Sequence, residues 1–420
     1  MKKAKTIGKF LCVSFVGFTL ISLSMGAFVF STVAAQKPTV VKIWTHSIEH
    51  RLKYYEELQK RFNVEHPNIK VEFEIKPPEG IQYLITAAAA AKSGPDIILY
   101  WAGPMELEMA KRGDTIPLDP YFSDEKWNQI VGVRQIDGKI YGMPMDLFME
   151  NLLYNKNLFK KAGLDPDRFP QVWNEFLQGC EKLKGAGVTP IAFTDKEGWS
   201  SDFYIDGLGV QAFDSTEDIV KSVMEGTFAD PGYLAALERF KELYDKGYLW
   251  PGGLAEPRTV YNSQLETQKA AIGRGYLYGH MVDKVGHIFG LARYPVWGAG
   301  KLADAVICGV NNVYQITSYS KHPKEAAVVI DALSTTETSN LLYELTGQAP
   351  PPNKNWNVDL VKDPEMKRMM ELVPKKSAPY MYNLYPKEAV WDAKTKNIAL
   401  YLLGNITGEE FARRLDKAKK

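Results

Sequence analysis

Hydrophobic positions in the first third of the chain change repeatedly between the spacing of strands and that of helices. Residues 40–44 and 96–100 are short apolar runs typical of buried strands, and residues 69–75 alternate as a half-exposed strand does. Residues 52–62 place apolar side chains on one helical face, and residues 82–92 are rich in the helix former alanine. This alternation predicts an open α/β sheet, in which ligands bind beyond the carboxyl ends of the strands.

The rest of the chain is mostly helical, with short strand-like segments between the helices. Helices are predicted at residues 173–184, 233–246, 263–269, 324–333 and 339–345, and further helices begin near residues 363, 388 and 408. Strands are predicted at residues 138–141, 152–154, 190–193, 305–308 and 314–317. Residues 348–352 cannot form regular structure because they include three prolines, which lack a backbone donor. A chain of 420 residues with this pattern is long enough for two domains.

The first 35 residues have the parts of a secretory signal peptide. Four lysines precede an uncharged stretch at residues 10–30, and small residues follow at Val33-Ala34-Ala35. We expect cleavage near Ala35 and a periplasmic mature protein that begins at Gln36. The alternative is an uncleaved membrane anchor, because the apolar stretch is long for a signal core.

Composition and spacing argue against several classes of function. The formal net charge is +1 and no long basic run occurs, so nucleic acid is not an expected partner. The six histidines lack metal-ligand spacing, and no phosphate loop or serine-hydrolase elbow occurs, so neither a metal nor a cofactor is expected. Cys180 and Cys308 lie far apart and are expected to be buried, reduced packing residues.

Several motifs occur in a specific order. The sequence GKIYGMP at residues 138–144 is followed by Tyr154-Asn155-Lys156 before a predicted helix. SGPDI precedes them at residues 93–97, while SKHPKEAA at 320–327 and LGNITGEE at 403–410 follow. This order resembles that of bacterial extracellular solute-binding proteins of the maltose-binding type, which serve ABC importers. The resemblance covers residues 40–418.

The resemblance implies an α/β fold of the two-lobe periplasmic binding protein type (type II), with three interlobe crossovers and a central ligand cleft. We place the crossovers at residues 146–150, 309–313 and 349–353. The N-terminal lobe would then contain residues 36–147 and 314–351, and the C-terminal lobe residues 148–313 and 352–420. The implied function is non-enzymatic binding of a carbohydrate, expected to be an oligosaccharide, and its delivery to the transmembrane subunits of an ABC permease by a monomer.

Sugar sites combine two kinds of side chain. Aromatic rings cover the C–H faces of a sugar, and charged or amide groups bond the hydroxyl edges. The resemblance implies that Trp391, 13 residues before Gly404, is a sugar-stacking residue. It also implies an aromatic residue and a carboxylate after the strand at 190–193, positions that Trp199 and Glu197 hold. The alternative for each ring is packing in a core.

The other implied contacts lie at strand ends, in a turn and in crossovers. They are Tyr276 after the Gly-rich turn Gly273-Arg274-Gly275, Tyr100 or Trp101 at the end of the third strand, His46 and Glu49 after the first, Asp146 and Phe148 in the first crossover, and Asn311 and Asn312 in the second. Arg274 would pair with the carboxylate of an acidic sugar if it faces the cleft, and is otherwise a solvated turn residue. Glu49 has the alternative role of a carboxylate at a helix N-terminus. Gly103-Pro104 and Phe148 replace charged residues of maltose-binding proteins, which argues against maltose itself.

Two other functions remain open at this level. A binding protein of the same fold for a polyamine would show several cleft carboxylates, and one for an organic phosphate would show an arginine or a helix N-terminus there. A secreted glycoside hydrolase would need two carboxylates roughly 5–9.5 Å apart across the scissile bond. Glu197 and Asp146 could be imagined in that role, but the order of the motifs argues against it.

Overall fold

The computed structural model describes residues 37–46, 51–77, 80–347, 351–373 and 376–420. The expected signal peptide, Glu49 and the first two residues of the third predicted crossover lie outside these ranges. None of the helices within them is both long enough and apolar enough to cross a membrane.

The described ranges contain twelve strands and sixteen α-helices. The strands are β1 Thr39–His46, β2 Ile69–Lys76, β3 Ile97–Trp101, β4 Gln135–Ile136, β5 Lys139–Ile140, β6 Met143–Met149, β7 Leu152–Asn155, β8 Thr189–Ile191, β9 Ala270–Arg274, β10 Phe289–Ala292, β11 Val306–Ile316 and β12 Ser377–Ala378. The helices are α1 Leu52–Glu65, α2 Ile81–Ala91, α3 Pro104–Arg112, α4 Asp124–Asn128, α5 Lys156–Lys161, α6 Trp173–Gly185, α7 Ser200–Gly209, α8 Thr216–Val220, α9 Pro231–Asp245, α10 Arg258–Glu266, α11 Tyr278–Val285, α12 Pro323–Leu333, α13 Thr336–Thr346, α14 Pro364–Met370, α15 Glu388–Leu402 and α16 Gly408–Lys419.

The first sheet contains the strands that the sequence pattern predicted most clearly. Its order is β12-β11-β3-β1-β2, with β6 also paired to β11. β1 is parallel to both β2 and β3, whereas β11 is antiparallel to β3 and β6. Strand residues such as Val41, Leu99 and Tyr314 pack with the buried face of α1 to form one core. We call this sheet and its helices the first lobe.

The second sheet has the order β10-β7-β9-β8 and is covered on both faces. Leu152 and Tyr154 of β7 enter one core, while Leu153 between them enters another. This alternation follows from the two-residue period of a strand. We call this sheet and its helices the second lobe.

Two paired strands connect the lobes. β6 is buried along its whole length, and it reaches β7 through Glu150 and Asn151 alone. β11 is a single strand of 11 residues, although the sequence predicted two short strands separated by a crossover. Its register with β6 shifts near Val310 and Asn312, so the predicted crossovers at 146–150 and 309–313 fall largely within strands and not loops. Paired strands can bend at such an irregularity without leaving the ladder, so strands are compatible with the two predicted crossovers.

The cores divide along the chain. One core draws its buried residues from positions 41–145 and 314–342. The two cores that flank the second sheet draw theirs from positions 149–307 and 361–415. This distribution of buried residues supports the lobe boundaries expected from the sequence, which we propose for the protein.

Candidate functional site

Three aromatic side chains meet at the carboxyl edge of the first sheet. β1 and β3 are parallel neighbours, with Thr45 paired to Leu99, so the residues that end both strands lie together. The ring of His46 lies 4.8 Å from that of Trp101 and 5.6 Å from that of Tyr100, both in edge-to-face geometry. Tyr100 is buried and Trp101 is partly exposed. The structure thus brings His46 together with Tyr100 and Trp101, the two residues expected at the end of the third strand.

His46 is a buried polar residue that lacks a hydrogen-bond partner among the described residues. It is 2% exposed, and neither ring nitrogen has a hydrogen-bond partner in the described structure. Burial, together with the nearby charges of Arg51 and Arg258, lowers the pKa of His46 to about 3. The neutral imidazole has one donor and one acceptor, which is the pairing capacity that a sugar hydroxyl matches. Because Arg258 belongs to α10 of the second lobe, both lobes contribute to the surroundings of His46.

Asp146 is enclosed by protein donors at the connection between the lobes. Its Oδ2 accepts from Arg51 at 2.5 Å and from Asn311 Nδ2 at 2.7 Å. Its Oδ1 accepts from the backbone and the side chain of Asn312, at 3.1 and 2.8 Å. The carboxylate therefore ties α1 and β11 to β6, and a direct ligand contact by Asp146 stays a prediction. Asn311 is the partly exposed member of this group.

Five aromatic side chains form a continuous group where the connecting strand β6 meets the second lobe. Phe148 stacks on Tyr276 at 4.9 Å, and it lies 5.7 Å from both Phe203 and Tyr380. Phe203 stacks on Tyr380 at 5.4 Å and meets the ring of Trp199 edge-on at 5.6 Å. Three of these residues were expected from the sequence. Phe203 was missed, although its position four residues after Trp199, one helical turn later on α7, could have indicated it.

Arg274 is buried inside this aromatic group. Its Nε and Nη2 donate to the two carboxylate oxygens of Glu150, both at 3.0 Å, and its guanidinium carbon lies 3.2 Å from the ring centre of Phe203. Burial alone would lower the pKa of Arg274, but the carboxylate of Glu150 raises it above its ordinary value. Residues 273 and 274 end β9, opposite Leu152 of β7. The expected turn is therefore the end of a strand, and the alternative of a solvated Arg274 is wrong.

A lysine cluster lies beneath the aromatic group. Lys394 of α15 contacts the carboxylates of Asp202 and Asp206 on α7, and Tyr385 accepts from its ammonium at 2.8 Å. Tyr380 donates to Asp202 at 2.9 Å. Lys394 and both aspartates are at most 1% exposed. This buried lysine cluster fixes α15, α7 and the segment 380–385 relative to one another.

Trp391, the strongest expected ligand contact, lies on α15 one turn before Lys394. It is partly exposed, and its ring lies edge-on to Tyr382 at 4.7 Å. Because Lys394 anchors the same helix, the position of Trp391 is set by buried contacts and not by the loop before it.

The two lobes touch through a small polar contact. Asn383 Nδ2 donates to the carbonyls of Ala102 at 2.8 Å and Val310 at 3.0 Å, and Arg134 donates to the carbonyl of Asn383 at 2.9 Å. Gly103 has φ +127°, and a Cβ there would stand 3.1 Å from the backbone of Asn383. The glycine that departs from the maltose-binding pattern is thus required where the lobes meet.

A second contact between the lobes joins two helices. Glu108 of α3 accepts from the backbone N–H of Glu388, the first residue of α15, at 3.2 Å. Burial, together with the charges of Asp392 and Glu108, raises the pKa of Glu388 to about 7.

The remaining expected residues do not join these groups. Glu197 is exposed at the surface, next to Trp199. Asp146, the other carboxylate considered for a glycoside hydrolase, is completely buried. Glu49 lies outside the described residues. Within those residues, no group of three or more His, Cys, Asp or Glu side chains is placed to hold a metal ion.

Comparisons with known proteins agree on one family. The family model described as "Bacterial extracellular solute-binding protein" matches residues 47–339. An uncharacterized ABC transporter extracellular-binding protein of Pyrococcus horikoshii is 24% identical over 363 residues, which is 80% of each chain. The sn-glycerol-3-phosphate-binding periplasmic protein of Pectobacterium atrosepticum is 25% identical over 343 residues, or 77% of this chain and 76% of that one.

The fold has close counterparts among solved structures. A chitin oligosaccharide binding protein superposes with a TM-score of 0.78 at 22% sequence identity. The match covers 90% of this chain and 98% of the other. The two-lobe periplasmic binding fold expected from the sequence is thereby confirmed.

Proposed function

Because the chain belongs to the family of bacterial extracellular solute-binding proteins, we propose that it binds an oligosaccharide between its lobes and delivers it to the membrane subunits of an ABC importer. Members of this family act outside the cytoplasm, which agrees with the signal peptide expected at residues 1–35. The structural neighbour that binds chitin oligosaccharide supports a carbohydrate as the ligand class. Action as a monomer is part of the proposal.

The observation that carries the proposal is the set of partly exposed aromatic rings in both lobes. Trp101 belongs to the first lobe, and Trp199, Tyr276 and Trp391 belong to the second. Such rings match the C–H faces of a sugar, and burying them against a ligand removes apolar surface from water. A ligand that touches rings of both lobes stabilises the state in which the lobes are together.

The polar groups near these rings favour an uncharged ligand. His46 offers a neutral donor and acceptor, and Asn311 offers a partly exposed amide. Arg51 and Arg274 are each paired with a buried carboxylate. A phosphate ester would have to compete with Asp146 and Glu150 for these two cations.

The test is binding by the chain from Gln36 onward, followed through tryptophan fluorescence and melting temperature. The panel contains neutral oligosaccharides of xylose, galactose, glucose and N-acetylglucosamine, together with glycerol 3-phosphate and spermidine. Any compound at about a hundredfold excess over its Kd adds about 2.7 kcal/mol to the free energy of unfolding. A shift with the sugars alone supports the proposal. A change in fluorescence and melting temperature with glycerol 3-phosphate or spermidine alone would be compatible with the family but would refute a carbohydrate as the ligand.

Two variants assign the response to the site. Trp391→Ala and Trp199→Ala should each weaken sugar binding at least tenfold, because each removes a ring face. The matched control is Trp44→Phe, since Trp44 of β1 donates to Glu74 and has Lys76 over its ring, and it belongs to neither aromatic group. Equal binding by all three variants would refute this choice of residues.

A further inference from the structure

Glu150 and Arg274 form an ion pair that is almost completely withdrawn from water. Glu150 is 0% exposed and Arg274 is 5% exposed. The guanidinium donates in parallel to both carboxylate oxygens at 3.0 Å. The pairing of β7 with β9 fixes the backbone of Arg274 opposite Leu152, and the backbone N–H of Glu150, two residues before β7, donates to the carbonyl of Ile307 at 2.9 Å. The two charges are therefore held together by the sheet as well as by their attraction.

Aromatic rings that we assign to the ligand surround this pair. The guanidinium carbon lies 5.7 Å from the ring centre of Tyr276, 5.8 Å from that of Trp199 and 6.0 Å from that of Phe148. A guanidinium stacked on rings keeps its edge for hydrogen bonds, and Glu150 occupies two donors of that edge here. This part of the site thus consists of aromatic rings around Arg274, and the charge of Arg274 is neutralised by Glu150.

Stability alone does not account for a pair in this place. Withdrawing two charges from water is costly, and apolar replacements of buried ion pairs are often neutral or stabilising. The two residues also lie two positions from expected ligand contacts, Glu150 after Phe148 and Arg274 before Tyr276. A role in ligand selection accounts for both the cost and the position.

We propose that Glu150 is a specificity-determining residue that makes the site reject acidic sugars. An unpaired Arg274 would bind a uronate carboxylate through the same two donors. With Glu150 in place those donors are occupied, and a second carboxylate meets the charge of Glu150 where little water screens it. A neutral sugar needs only the ring faces and hydroxyl partners. This inference rests on the proposed function, because it concerns which carbohydrates the site admits.

The experiment compares sugars in which a neutral CH2OH group is exchanged for a carboxylate. Titration calorimetry measures the Kd values of xylotriose with one glucose branch and with one glucuronic acid branch, of galactotriose and trigalacturonate, and of cellotriose and its C6-oxidised form. The proteins are the wild type, Glu150→Gln, and the double variant Glu150→Gln/Arg274→Gln. Glu217→Gln, an exposed carboxylate on α8, is the control for loss of one negative charge.

We expect the wild type and the control to prefer the neutral member of each pair that they bind. Glu150→Gln should lower the ratio of the acidic to the neutral Kd by between tenfold and about a thousandfold, the range that one charge at about 4 Å allows in a partly screened site. An unchanged ratio in Glu150→Gln, or a preference of the wild type for the acidic sugar, would overturn the proposal.

The double variant keeps the proposal testable if Glu150→Gln does not fold. It carries neither charge, so it should again favour the neutral sugar. If it instead favours the acidic sugar, that preference cannot come from Arg274 and the proposal is wrong. Failure of the wild type to bind any sugar of either kind would instead refute the proposed function, on which the inference depends.

Discussion

His46→Gln should abolish a large pH dependence of stability. The histidine is 2% exposed, and burial lowers its pKa to about 3, compared with an ordinary value of 6.5. The folded protein therefore holds His46 neutral while the unfolded chain takes up a proton below pH 6.5. The contribution of this residue to stability is fully present above pH 6.5 and is lost progressively as the pH falls toward 3. Glutamine is neutral throughout and keeps one donor and one acceptor.

The size of the effect follows from the difference between the two pKa values. Each pH unit between them changes the free energy of unfolding by about 1.4 kcal/mol. The loss is therefore about 2 kcal/mol at pH 5 and about 3 kcal/mol at pH 4, relative to pH 7. Other groups titrate over the same range, so the relevant quantity is the difference between wild type and variant at each pH.

Urea unfolding at pH 4, 5, 6 and 7 measures that difference. We expect the advantage of the wild type over His46→Gln to shrink, and then reverse in sign or vanish, as the pH falls. His322→Gln, the same substitution at a partly exposed histidine next to α12, controls for the change of side chain alone. A difference that stays constant from pH 4 to pH 7 would show that His46 is not held neutral by burial.

Four further substitutions test the framework of the site. Lys394→Met leaves the two aspartates of the buried lysine cluster without a cation and should cost about 3–5 kcal/mol of stability in urea unfolding; a cost below about 1 kcal/mol would refute the role of that cluster. The pKa of Glu388 is raised to about 7, so its contribution to stability is fully present below pH 4.5 and is lost as the pH rises through 7. Between these pH values the free energy of unfolding of Glu388→Gln should therefore rise by about 1–3 kcal/mol relative to that of the wild type, measured by urea unfolding. In Gly198→Ala, at φ +78°, the Cβ would meet the carbonyl of Thr395, which should cost about 2–4 kcal/mol and weaken sugar binding with it. Asn383→Ala removes two hydrogen bonds between the lobes and should raise the Kd for the sugar about tenfold, measured by calorimetry, with little change in melting temperature.

The elements predicted from the sequence were those with strong periodicity. β1 to β3 and the helices between them are close to their predicted bounds, because each carries an apolar pattern over many residues. β9 was missed because its sequence, AAIGR, contains small residues without a strand signal. A Cβ on Gly273 would lie 2.6 Å from the side chain of Leu265, so this glycine permits close packing of α10 on a strand and does not mark a turn.

The site was predictable only in part, because the sequence indicates which residues end a strand but not which strands pair. Residues at the ends of recognisable strands, such as His46 and Trp101, could be expected at a ligand site from their position alone. Glu150 and Arg274 could not be paired in this way, since 124 positions separate them and they are brought together by the pairing of β9 with β7, which begins two residues after Glu150. Pairings across a sheet depend on long-range register, which no local spacing in a single sequence reveals.

Contacts within a lobe differ in strength from contacts between the lobes, and this difference determines how the molecule can move. Each lobe holds its ligand-facing residues through buried charges: Asp146 with Arg51 in the first lobe, and Glu150 with Arg274 and Lys394 with its two aspartates in the second. Breaking such a group leaves an unpaired charge in the interior, so each set of residues moves as a rigid unit. Between the lobes, Asn383 and Glu388 instead make hydrogen bonds that water can replace at a net cost of about 1 kcal/mol each, and Trp101 adds an apolar contact by packing against one core of the second lobe. A ligand that touches both Trp101 and Trp391 therefore acts on these contacts between the lobes, while the geometry within each lobe stays fixed.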